Sequence, residues 1–560
     1  MAETPNNLAM EISSQTSVRT AVISAQGSPQ HEKLQPGWFR IVMPSATDII
    51  FLVLLLALTY GGLQPRLLGD AGTGWHIRNG QHMLQSRSIS RQDYFSYTMS
   101  GQPWFAWEWL CDLAMGAIFN LGGLNGIVFV SAVLIATLFA LVFRMTLIRS
   151  GQVIIAALLT LLAIMASSIH MLARPHLVSW LFTFVFWYIL ERSVIAKNPR
   201  HRFKLLAILP VLMLPWVNIH GAFLLGLALI AIYFAGQLCE WLIARHNPNE
   251  QSDLFAANAR GLAITEAISA VLTLINPYGY KLWVHLHEYL GSRFYMDNVQ
   301  EFLSPNFHGA AEKCFGALIL LTLTALALNH GRVRATQLLL VLFSLYTGLY
   351  AARNIPVSSM LLVLISAPLF GDALQRATSD EELAPHARSL VARLGGFSKR
   401  MAHTEQKFRG HLLPAAAVVL TAWICLHGGR LGEKQVVTAQ FSSKRFPVHA
   451  VDFLATQGIR SHVFNPDLWG GYLIYRLYPE YRVFMDDRHD FYGESFVRDY
   501  MKIRAIQPGW EEALNKYKVN WVLIRADSTL SNALKEIPAW KVIYDDGMAI
   551  IFARTVPLST

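Results

Sequence analysis

The sequence predicts a multi-pass α-helical membrane protein, with about 11–13 membrane-spanning helices, that ends in a small α/β domain. Hydrophobic residues make up 53% of the 560-residue chain and charged residues only 15%, whereas soluble proteins carry about 25% charged residues. Several apolar runs approach the ~20 residues that a helix needs to cross a bilayer. Beyond residue 430 the composition becomes that of a soluble domain.

Three regions follow from this pattern. Residues 1–38 are polar and rich in Ser, Gln and Asn, which predicts a disordered segment on the cytoplasmic side. The apolar run 41–62 has no small-residue cleavage site close behind it, so it is predicted to be a retained anchor. The membrane domain is predicted over 39–430, including a polar loop at 63–109, and the α/β domain, here called the tail, over 431–560.

Charge indicates how the chain crosses the membrane. The net charge of +10 lies largely in short loops between apolar runs, which is typical of positive-inside loops rather than of a nucleic-acid surface. A helix predicted at 104–120 either crosses or lies in the interface, and only the second arrangement puts the basic loop 191–204 and the other basic segments inside. It predicts about eleven crossings, a cytoplasmic N-terminus and an extracytoplasmic tail, with about twelve or thirteen crossings as the alternative. The other apolar segments lie at 124–146, 152–168, 175–194, 204–218, 221–243, 261–276, 314–329, 336–351, 355–370 and 413–428.

The sequence also bears on other classes of protein. The four cysteines lie in or beside apolar runs without CxxC or metal-ligand spacing, so they are predicted to be buried thiols. The sequence contains no internal repeat, GxGxxG motif or Walker loop. These observations give no indication of a disulfide framework or a nucleotide site.

Titratable residues are predicted to gather on the outer side of the membrane. The polar loop holds Asp70, His76, Asp93 and Glu108 between aromatic residues. Ionisable groups at membrane depth are costly and tend to face a cavity or mark a path. The predicted topology brings other polar groups to the same side, which predicts an extracytoplasmic cavity. These groups are His170, Arg174, Pro175 and His176, then Asn218 and His220, then NPYG at 276–279, and Arg353 with Asn354.

The tail alternates segments typical of strands and helices. Strands are predicted at 461–465 and 481–487 around a helix at 467–478. The rest is predicted as helices at 494–506, 510–517 and 529–537, a strand at 520–526, and a final hairpin at 540–554. The Asp546-Gly547 pair between alternating apolar residues is a strong hairpin signal.

Short motifs stand out in the polar loop and beyond it. They are Asp70, WHIRNG (75–80), GQPWFAWEWL (101–110), ARPHL (173–177), NIHG (218–221), NPYG (276–279), WGGYLIYRLYP (469–479) and FMDDRHDFYG (484–493). Together these motifs resemble the GT-C superfamily of integral-membrane glycosyltransferases, in particular the bacterial group related to protein mannosyltransferases and aminoarabinose transferases. The resemblance implies that the polar loop is catalytic, and that a sugar passes from a polyprenyl-phosphate donor to a glycan, lipid or protein acceptor outside the bacterial cytoplasmic membrane.

The resemblance implies that Asp70 is the general base of an inverting transfer. Asp70 directly follows a span, where partial desolvation would raise its proton affinity. Relatives often carry a second carboxylate one or two residues later, where this chain has Ala71 and Gly72. Either Asp70 acts alone, or Glu108 or Asp93 completes the pair. The alternative role of Asp70 is to cap a helix that begins near residue 73, and that of Asp93 is to form a turn.

The other candidate residues carry alternatives as well. Glu108 is predicted to orient the acceptor or to hold a divalent ion with one histidine, although an acid also suits a first helical turn. Cationic side chains are candidates for holding the leaving phosphate, or for anchoring helices at the interface. No obligatory metal or cofactor is predicted. The predicted substrate-binding residues are His76, Arg174, His176, His220, Tyr278 and Arg353. The DDRHD segment (486–490) is predicted to be a functional loop at a strand end, a solvated loop, or one that docks on the membrane cavity.

Two other functions compete with glycosyl transfer. A transporter or lipid flippase is disfavoured because the chain lacks paired repeats with broken helices at matching places. A non-catalytic assembly protein that keeps a glycosyltransferase-like scaffold is the second alternative, and the missing second carboxylate favours it.

Overall fold

The computed structural model describes residues 42–245, 250–379, 384–408, 411–459 and 462–558. Within this part of the chain, seven helices are long and apolar enough to cross a membrane, and three shorter helices are also apolar. A small sheet domain follows them. The predicted fold class, a multi-pass helical membrane protein with a C-terminal α/β domain, is therefore confirmed. The segment 1–38, predicted to be disordered, lies outside the described residues.

Helices dominate the chain up to the tail, joined by short connections. In chain order they are α1 Ala46–Thr59, α2 Gln64–Leu67, α3 Gly72–Ser86, α4 Trp109–Ser150, α5 Val153–Ser167, α6 His176–Ile195, α7 Pro199–Ile219, α8 Phe223–Ala244, α9 Glu250–Leu272, α10 Lys281–Gly291, α11 Arg293–Asn298, α12 Ala310–Ala327, α13 Ala335–Tyr350, α14 Ile355–Ser379, α15 Pro385–Lys407 and α16 Leu412–Leu426. Three short 3-10 helices lie at Ser168–His170, Gln300–Phe302 and Ala352–Asn354.

Helix α4 differs from the predicted helix at 104–120 in where it begins. The backbone N–H of Trp104 donates to the Arg91 carbonyl at 2.9 Å, so residues just before α4 belong to the folded polar loop. Within α4, Gly123 has φ 58° and ψ −152°, which breaks the helical geometry. Because glycine adopts a positive φ without steric cost, this residue can separate the first turns of α4 from its long apolar part.

Residues of helix α14 are buried inside the protein, whereas other long helices keep apolar side chains exposed. In α14, Leu361, Val363 and Leu364 are fully buried, as expected for a helix that is apolar on all sides. By contrast, Val211 and Leu320 keep 63% and 67% of their surface exposed. Large apolar side chains exposed in this way on long helices are typical of a surface that faces lipid.

The tail contains a four-stranded sheet in which β3 (Val463–Phe464), β4 (Trp521–Arg525), β6 (Ala549–Arg554) and β5 (Trp540–Asp545) lie side by side in that order. Strand β3 runs parallel to β4, whereas β4, β6 and β5 pair antiparallel. The predicted final hairpin is present as β5 and β6. The elements of the tail are β1 Arg430–Leu431, β2 Lys434–Gln435, α17 Val448–Thr456, β3 Val463–Phe464, α18 Asp467–Leu477, α19 His489–Tyr492, α20 Glu494–Ala505, α21 Trp510–Lys516, β4 Trp521–Arg525, α22 Thr529–Glu536, β5 Trp540–Asp545 and β6 Ala549–Arg554.

The predicted strand at 481–487 is wrong, because this segment pairs outside the sheet. Val483 forms an isolated bridge with Ser96 of the polar loop. Its N–H donates to the Phe95 carbonyl at 2.9 Å, and its carbonyl accepts from the Tyr97 N–H at 3.0 Å. The apolar residues of this segment are therefore buried where the tail contacts the polar loop.

Helices α3 and α18 pack closely and join the polar loop to the tail. A Cβ on Gly74 would overlap the Gly471 carbonyl, so the two backbones approach as closely as glycine permits. Beside this contact, Arg78 Nε donates to the Tyr475 carbonyl at 2.9 Å. The tail is thus seated directly on the polar loop.

Candidate active site

Arg174 lies between two aspartates that come from opposite ends of the chain. Its Nη1 lies 3.3 Å from Asp70 Oδ1, and its Nη2 lies 3.3 Å from Asp487 Oδ2. The side chains of Asp70 and Arg174 are each 23% exposed, and that of Asp487 is 13% exposed. The polar loop, the segment before α6 and the tail therefore meet at one guanidinium.

Local backbone contacts fix the two membrane-domain members of this group. Asp70 Oδ1 accepts a hydrogen bond from the N–H of Gly72, the first residue of α3, at 2.7 Å. The carboxylate thus binds one backbone N–H at the start of α3, whose N-cap residue is Ala71, and contacts Arg174 as well. The backbone before Arg174 is held because the Ala173 N–H donates to the Leu67 carbonyl at 2.8 Å.

The electrostatics of this group reflect burial and mutual attraction. Burial lowers the pKa of Arg174, but Asp70 and Asp487 more than compensate, so the pKa is raised and the guanidinium stays charged. Burial raises the pKa of Asp487 to about 7, against the attraction of Arg174 and with the help of repulsion from Asp70. Asp487 can therefore exchange a proton near neutral pH.

A second arginine, Arg488 of the DDRHD segment, makes fully buried contacts next to this group. Arg488 donates to Asp486 Oδ1 and Oδ2 at 2.7 and 2.6 Å, and to Asp93 Oδ1 at 2.8 Å. Its guanidinium carbon lies 4.4 Å from the ring centre of Trp104. Asp93 also accepts from the N–H of Ser96 at 2.9 Å. Asp93 therefore forms the predicted turn and in addition anchors the tail.

Glu108 immediately precedes α4 and faces two histidines. Its Oε1 lies 3.4 Å from His220 Nε2, and its Oε2 lies 3.9 Å from His76 Nε2. On its other side His76 Nδ1 lies 2.5 Å from Asp112 Oδ1, which orients the imidazole ring. Burial and the charge of Asp112 raise the pKa of Glu108 to about 8, although Arg174 opposes the shift. Glu108 is thus a neutral acid, and a hydrogen-bond donor, near pH 7.

Arg353 forms a third group with Glu301. Glu301 carries no functional signal in the sequence. The two charges lie 3.2 Å apart, and the Arg353 guanidinium packs 4.7 Å from the ring centre of Phe302. Burial would raise the pKa of Glu301, but Arg353 and Arg174 lower it to about 2, with smaller effects from His170 and His176. Glu301 therefore stays ionised among these basic residues.

The predicted site residues fall into adjacent groups rather than one contact set. Asp70 and Arg174 touch directly, and Glu108 contacts His76 and His220. His176 bonds the His170 carbonyl through Nε2 at 2.8 Å. The groups are close enough to interact, because the pKa of Glu108 responds to both Arg174 and Arg353.

Tyr278 supports the polar loop. Its hydroxyl accepts the N–H of Ala106 at 2.9 Å, two residues before Glu108. Its ring centre lies 4.6 Å from that of Phe105, which also stacks on His285 at 5.2 Å. In the described residues its contacts are to the loop that carries Glu108, so it positions this segment.

Sequence reasoning missed the role of Asp487. The DDRHD segment is a candidate functional loop in the sequence, but the contact of Asp487 with Arg174 depends on how the tail packs against the membrane domain. Trp75 is part of the same contact, since its Nε1–H donates to Asp487 Oδ1 at 2.8 Å. The available signal was the run of charged residues directly after an apolar segment.

A cavity in the tail lies apart from these charged groups. A cavity of about 780 Å³ lies in the tail against the sheet, lined by Phe453, His462 and Trp521 among others, and away from Arg174. Within the described residues, no group of three or more His, Cys, Asp or Glu side chains is arranged to hold a metal ion. The polar contacts around Arg174 and Glu108 are therefore the better candidate for chemistry.

Comparison with solved structures shows the class of fold. The apo oligosaccharyltransferase of Archaeoglobus fulgidus matches with a TM-score of 0.51 at 11% identity, over 92% of this chain and 75% of that chain. This likeness shows that the chain shares the fold of that protein, as the predicted fold class leads one to expect. No protein-family model matches the chain, and no curated protein matches it in sequence.

Two further structures show a weaker likeness. ArnT from Cupriavidus metallidurans, bound to undecaprenyl phosphate, matches with a TM-score of 0.46 at 14% identity, over 90% of this chain and 97% of that chain. The A. fulgidus oligosaccharyltransferase in complex with zinc and sulfate matches with a TM-score of 0.47 at 12% identity, over 91% of this chain and 73% of that chain.

Proposed function

We propose that this protein is a membrane glycosyltransferase that takes a sugar from a polyprenyl-phosphate donor and transfers it with inversion. The observation that carries the proposal is the meeting of Asp70, Arg174 and Asp487, which joins the polar loop, the membrane helices and the tail. A GT-C-like fold supports it, since an active centre beside the first membrane helix fits the predicted catalytic loop at 63–109.

The proposed base is Asp70. The acceptor hydroxyl gives its proton to this carboxylate while its oxygen attacks the anomeric carbon from the face opposite the phosphate. The bond between that carbon and the phosphate oxygen breaks, and polyprenyl phosphate leaves with the electron pair. Arg174 holds Asp70 in place, which supports a fixed orientation of the base.

The leaving phosphate needs positive charge or hydrogen-bond donors. Arg353 and the imidazoles of His176 and His220 are the proposed groups, with Glu301 fixing the position of Arg353. Neutral Glu108 is proposed to donate a hydrogen bond that orients the acceptor. His76 is proposed to bind substrate through its buried Nε2, which has no hydrogen-bond partner among the described residues. No obligatory metal is proposed; a divalent ion, if bound, would be held by Glu108 and His220, and chelation with EDTA tests this.

The proposed location is the cytoplasmic membrane of a bacterium. The N-terminus lies in the cytoplasm, a membrane domain spans 39–430, and the tail at 431–560 lies outside. The proposed partners are the polyprenyl-phosphate donor, membrane lipids, and a glycan, lipid or protein acceptor. Cysteine labelling from either side of the membrane would test the topology, because an introduced cysteine in the tail should react with an impermeant reagent from outside.

The function is tested with the purified full chain in liposomes. Radiolabelled undecaprenyl-phosphate glucose, mannose and aminoarabinose serve as donors, with an extract of bacterial envelope as the source of acceptor. We expect the wild type to release undecaprenyl phosphate from at least one donor. We expect Asp70→Asn to lose about 100-fold or more in turnover, the scale typical of removing a general base.

Other outcomes distinguish the alternatives. A wild type that transfers sugar from none of the donors, together with a folded and stable protein, contradicts the proposal and favours the assembly role. Movement of labelled lipid across the bilayer that survives Asp70→Asn favours transport. The control variant is Asp527→Asn, since Asp527 is an exposed carboxylate of the tail that pairs only with Arg525 among the described residues.

A further inference from the structure

One oxygen of the Asp487 carboxylate accepts a hydrogen bond, and the other accepts none among the described residues. Oδ1 accepts the indole N–H of Trp75 at 2.8 Å. Oδ2 is buried and has no hydrogen-bond partner among the described residues, although Arg174 Nη2 lies 3.3 Å away. A buried acceptor without a donor is costly, so this oxygen is placed where a ligand hydroxyl would satisfy it.

The neighbouring Asp486 provides an internal comparison. Both of its oxygens accept hydrogen bonds, from Arg488 and from the Tyr492 hydroxyl at 2.9 Å. Asp486 is therefore saturated by its own domain, whereas Asp487 turns the other way, into the polar loop. Two adjacent aspartates thus have separate tasks, one inside the tail and one outside it.

The space that Asp487 occupies exists because position 72 is glycine. A Cβ on Gly72 would lie 2.5 Å from Asp487 Oδ2, 2.8 Å from Asp70 Oδ1 and 3.2 Å from the guanidinium carbon of Arg174. A side chain at this position would therefore collide with both carboxylates. The absence of a side chain allows the tail to insert an acidic group beside Asp70.

We propose that Asp487 is a second catalytic carboxylate, which the tail places beside Asp70 in the space left by Gly72. This inference rests on the proposed function. In the transfer, the acceptor hydroxyl proton goes to Asp70 and the new bond forms at the anomeric carbon as polyprenyl phosphate leaves. The free Oδ2 of Asp487 accepts a hydrogen bond from a second hydroxyl or N–H group of the acceptor, which fixes the attacking oxygen in position.

Burial raises the pKa of Asp487 to about 7, so this carboxyl can also take up and release a proton near neutral pH. Asp70, by contrast, already uses Oδ1 for the Gly72 N–H and for Arg174. The carboxylate that is absent from positions 71 and 72 of the sequence is thus supplied in space from a residue more than four hundred positions later. The tail becomes part of the active centre.

The test removes the carboxylate of Asp487 and then supplies a small carboxylate in solution. Three variants are compared with the wild type in the liposome assay: Asp487→Asn, Asp487→Ala and the control Asp527→Asn. We expect Asp487→Asn and Asp487→Ala to lower kcat about 100-fold, with the KM for the undecaprenyl-phosphate sugar changed less than about threefold. Added sodium formate should raise the turnover of Asp487→Ala about tenfold or more, because the alanine leaves room for a small carboxylate, and it should leave the wild type and Asp527→Asn unchanged.

Each result decides the inference. Turnover of Asp487→Asn equal to that of the wild type overturns it, and so does a folded Asp487→Ala variant whose turnover formate leaves unchanged. A role in docking the tail alone would not respond to formate, and protease resistance of the tail reports docking separately. If the wild type transfers no sugar, the proposed function itself fails; if the wild type is active and Asp487→Ala is equally active, only this inference fails.

Discussion

Two arginines of this protein each hold two aspartates, and the two groups differ in how short and how buried their contacts are. Arg488 is buried among aromatic rings and donates through Nε and Nη2 to Asp486 and Asp93 at 2.6–2.8 Å, whereas its Nη1 has no hydrogen-bond partner among the described residues. Arg174 meets Asp70 and Asp487 at 3.3 Å, is 23% exposed, and leaves Asp487 Oδ2 without a hydrogen bond among the described residues.

The difference separates a structural contact from a functional one. Short, buried, charge-assisted hydrogen bonds hold two parts of a protein in a fixed position. Longer contacts with a free acceptor and partial access leave room for a ligand. Both groups join the polar loop to the tail. We infer that the group around Arg488 positions the tail, and that the group around Arg174 depends on that position.

The largest effect is expected from removing the buried arginine. Arg488→Met leaves Asp93 and Asp486 without their cation, and breaking a buried pair from one side costs about 3–5 kcal/mol of stability. We expect a large fall in the melting temperature and loss of protease resistance in the tail, with activity lost as a consequence. Thermal unfolding followed by fluorescence measures the first effect.

The matched control for this variant is Arg525→Ala. Arg525 pairs with Asp527 on the surface, at 53% and 69% side-chain exposure. An exposed pair of this kind contributes roughly 0–1 kcal/mol, so its melting temperature should stay near that of the wild type. If both variants melt alike, Arg488 does not anchor the tail.

A smaller effect on stability but a selective effect on chemistry is expected at the other arginine. Arg174→Lys keeps the charge but cannot hold two carboxylates with a planar fork. We expect turnover in the liposome assay to fall about 10²–10³-fold, while the tail stays protease-resistant. Loss of protease resistance that matches Arg488→Met would erase the distinction between the two groups.

The sequence allowed the fold and part of the site to be predicted. Long apolar runs and positive loops are local properties, so the helices and the tail were visible in the composition. Asp70, Arg174, Glu108 and His220 stood out because each is an ionisable residue at the edge of an apolar segment. Their proximity followed from the predicted topology.

The remaining features depend on tertiary contacts. The apolar segment 481–487 resembles a strand in sequence, yet it bridges to Ser96, because the docked loop offers it hydrogen bonds. Glu301 and Asp487 gain their charged partners from residues far away in the sequence. A short apolar run indicates that a segment is buried, and it does not indicate which partner buries it.

A pH profile gives the finest test of how the candidate site works. Glu108 must carry its proton to donate a hydrogen bond, and its pKa is raised from 4.5 to about 8. Turnover should therefore fall about tenfold per pH unit above this value. Glu108→Gln has no proton to lose, so its lower activity should stay level to about pH 9. An unchanged alkaline fall in the variant assigns that proton to another group.

The most direct measurement of the central claim is a cryo-electron-microscopy structure of the full chain in lipid nanodiscs with undecaprenyl phosphate. A phosphate within hydrogen-bond distance of Arg353, His176 or His220, with the acceptor side of the site open towards Asp70 and Asp487, is the predicted result. A phosphate bound in the tail cavity, or at the opposite membrane face from Arg174, would contradict it.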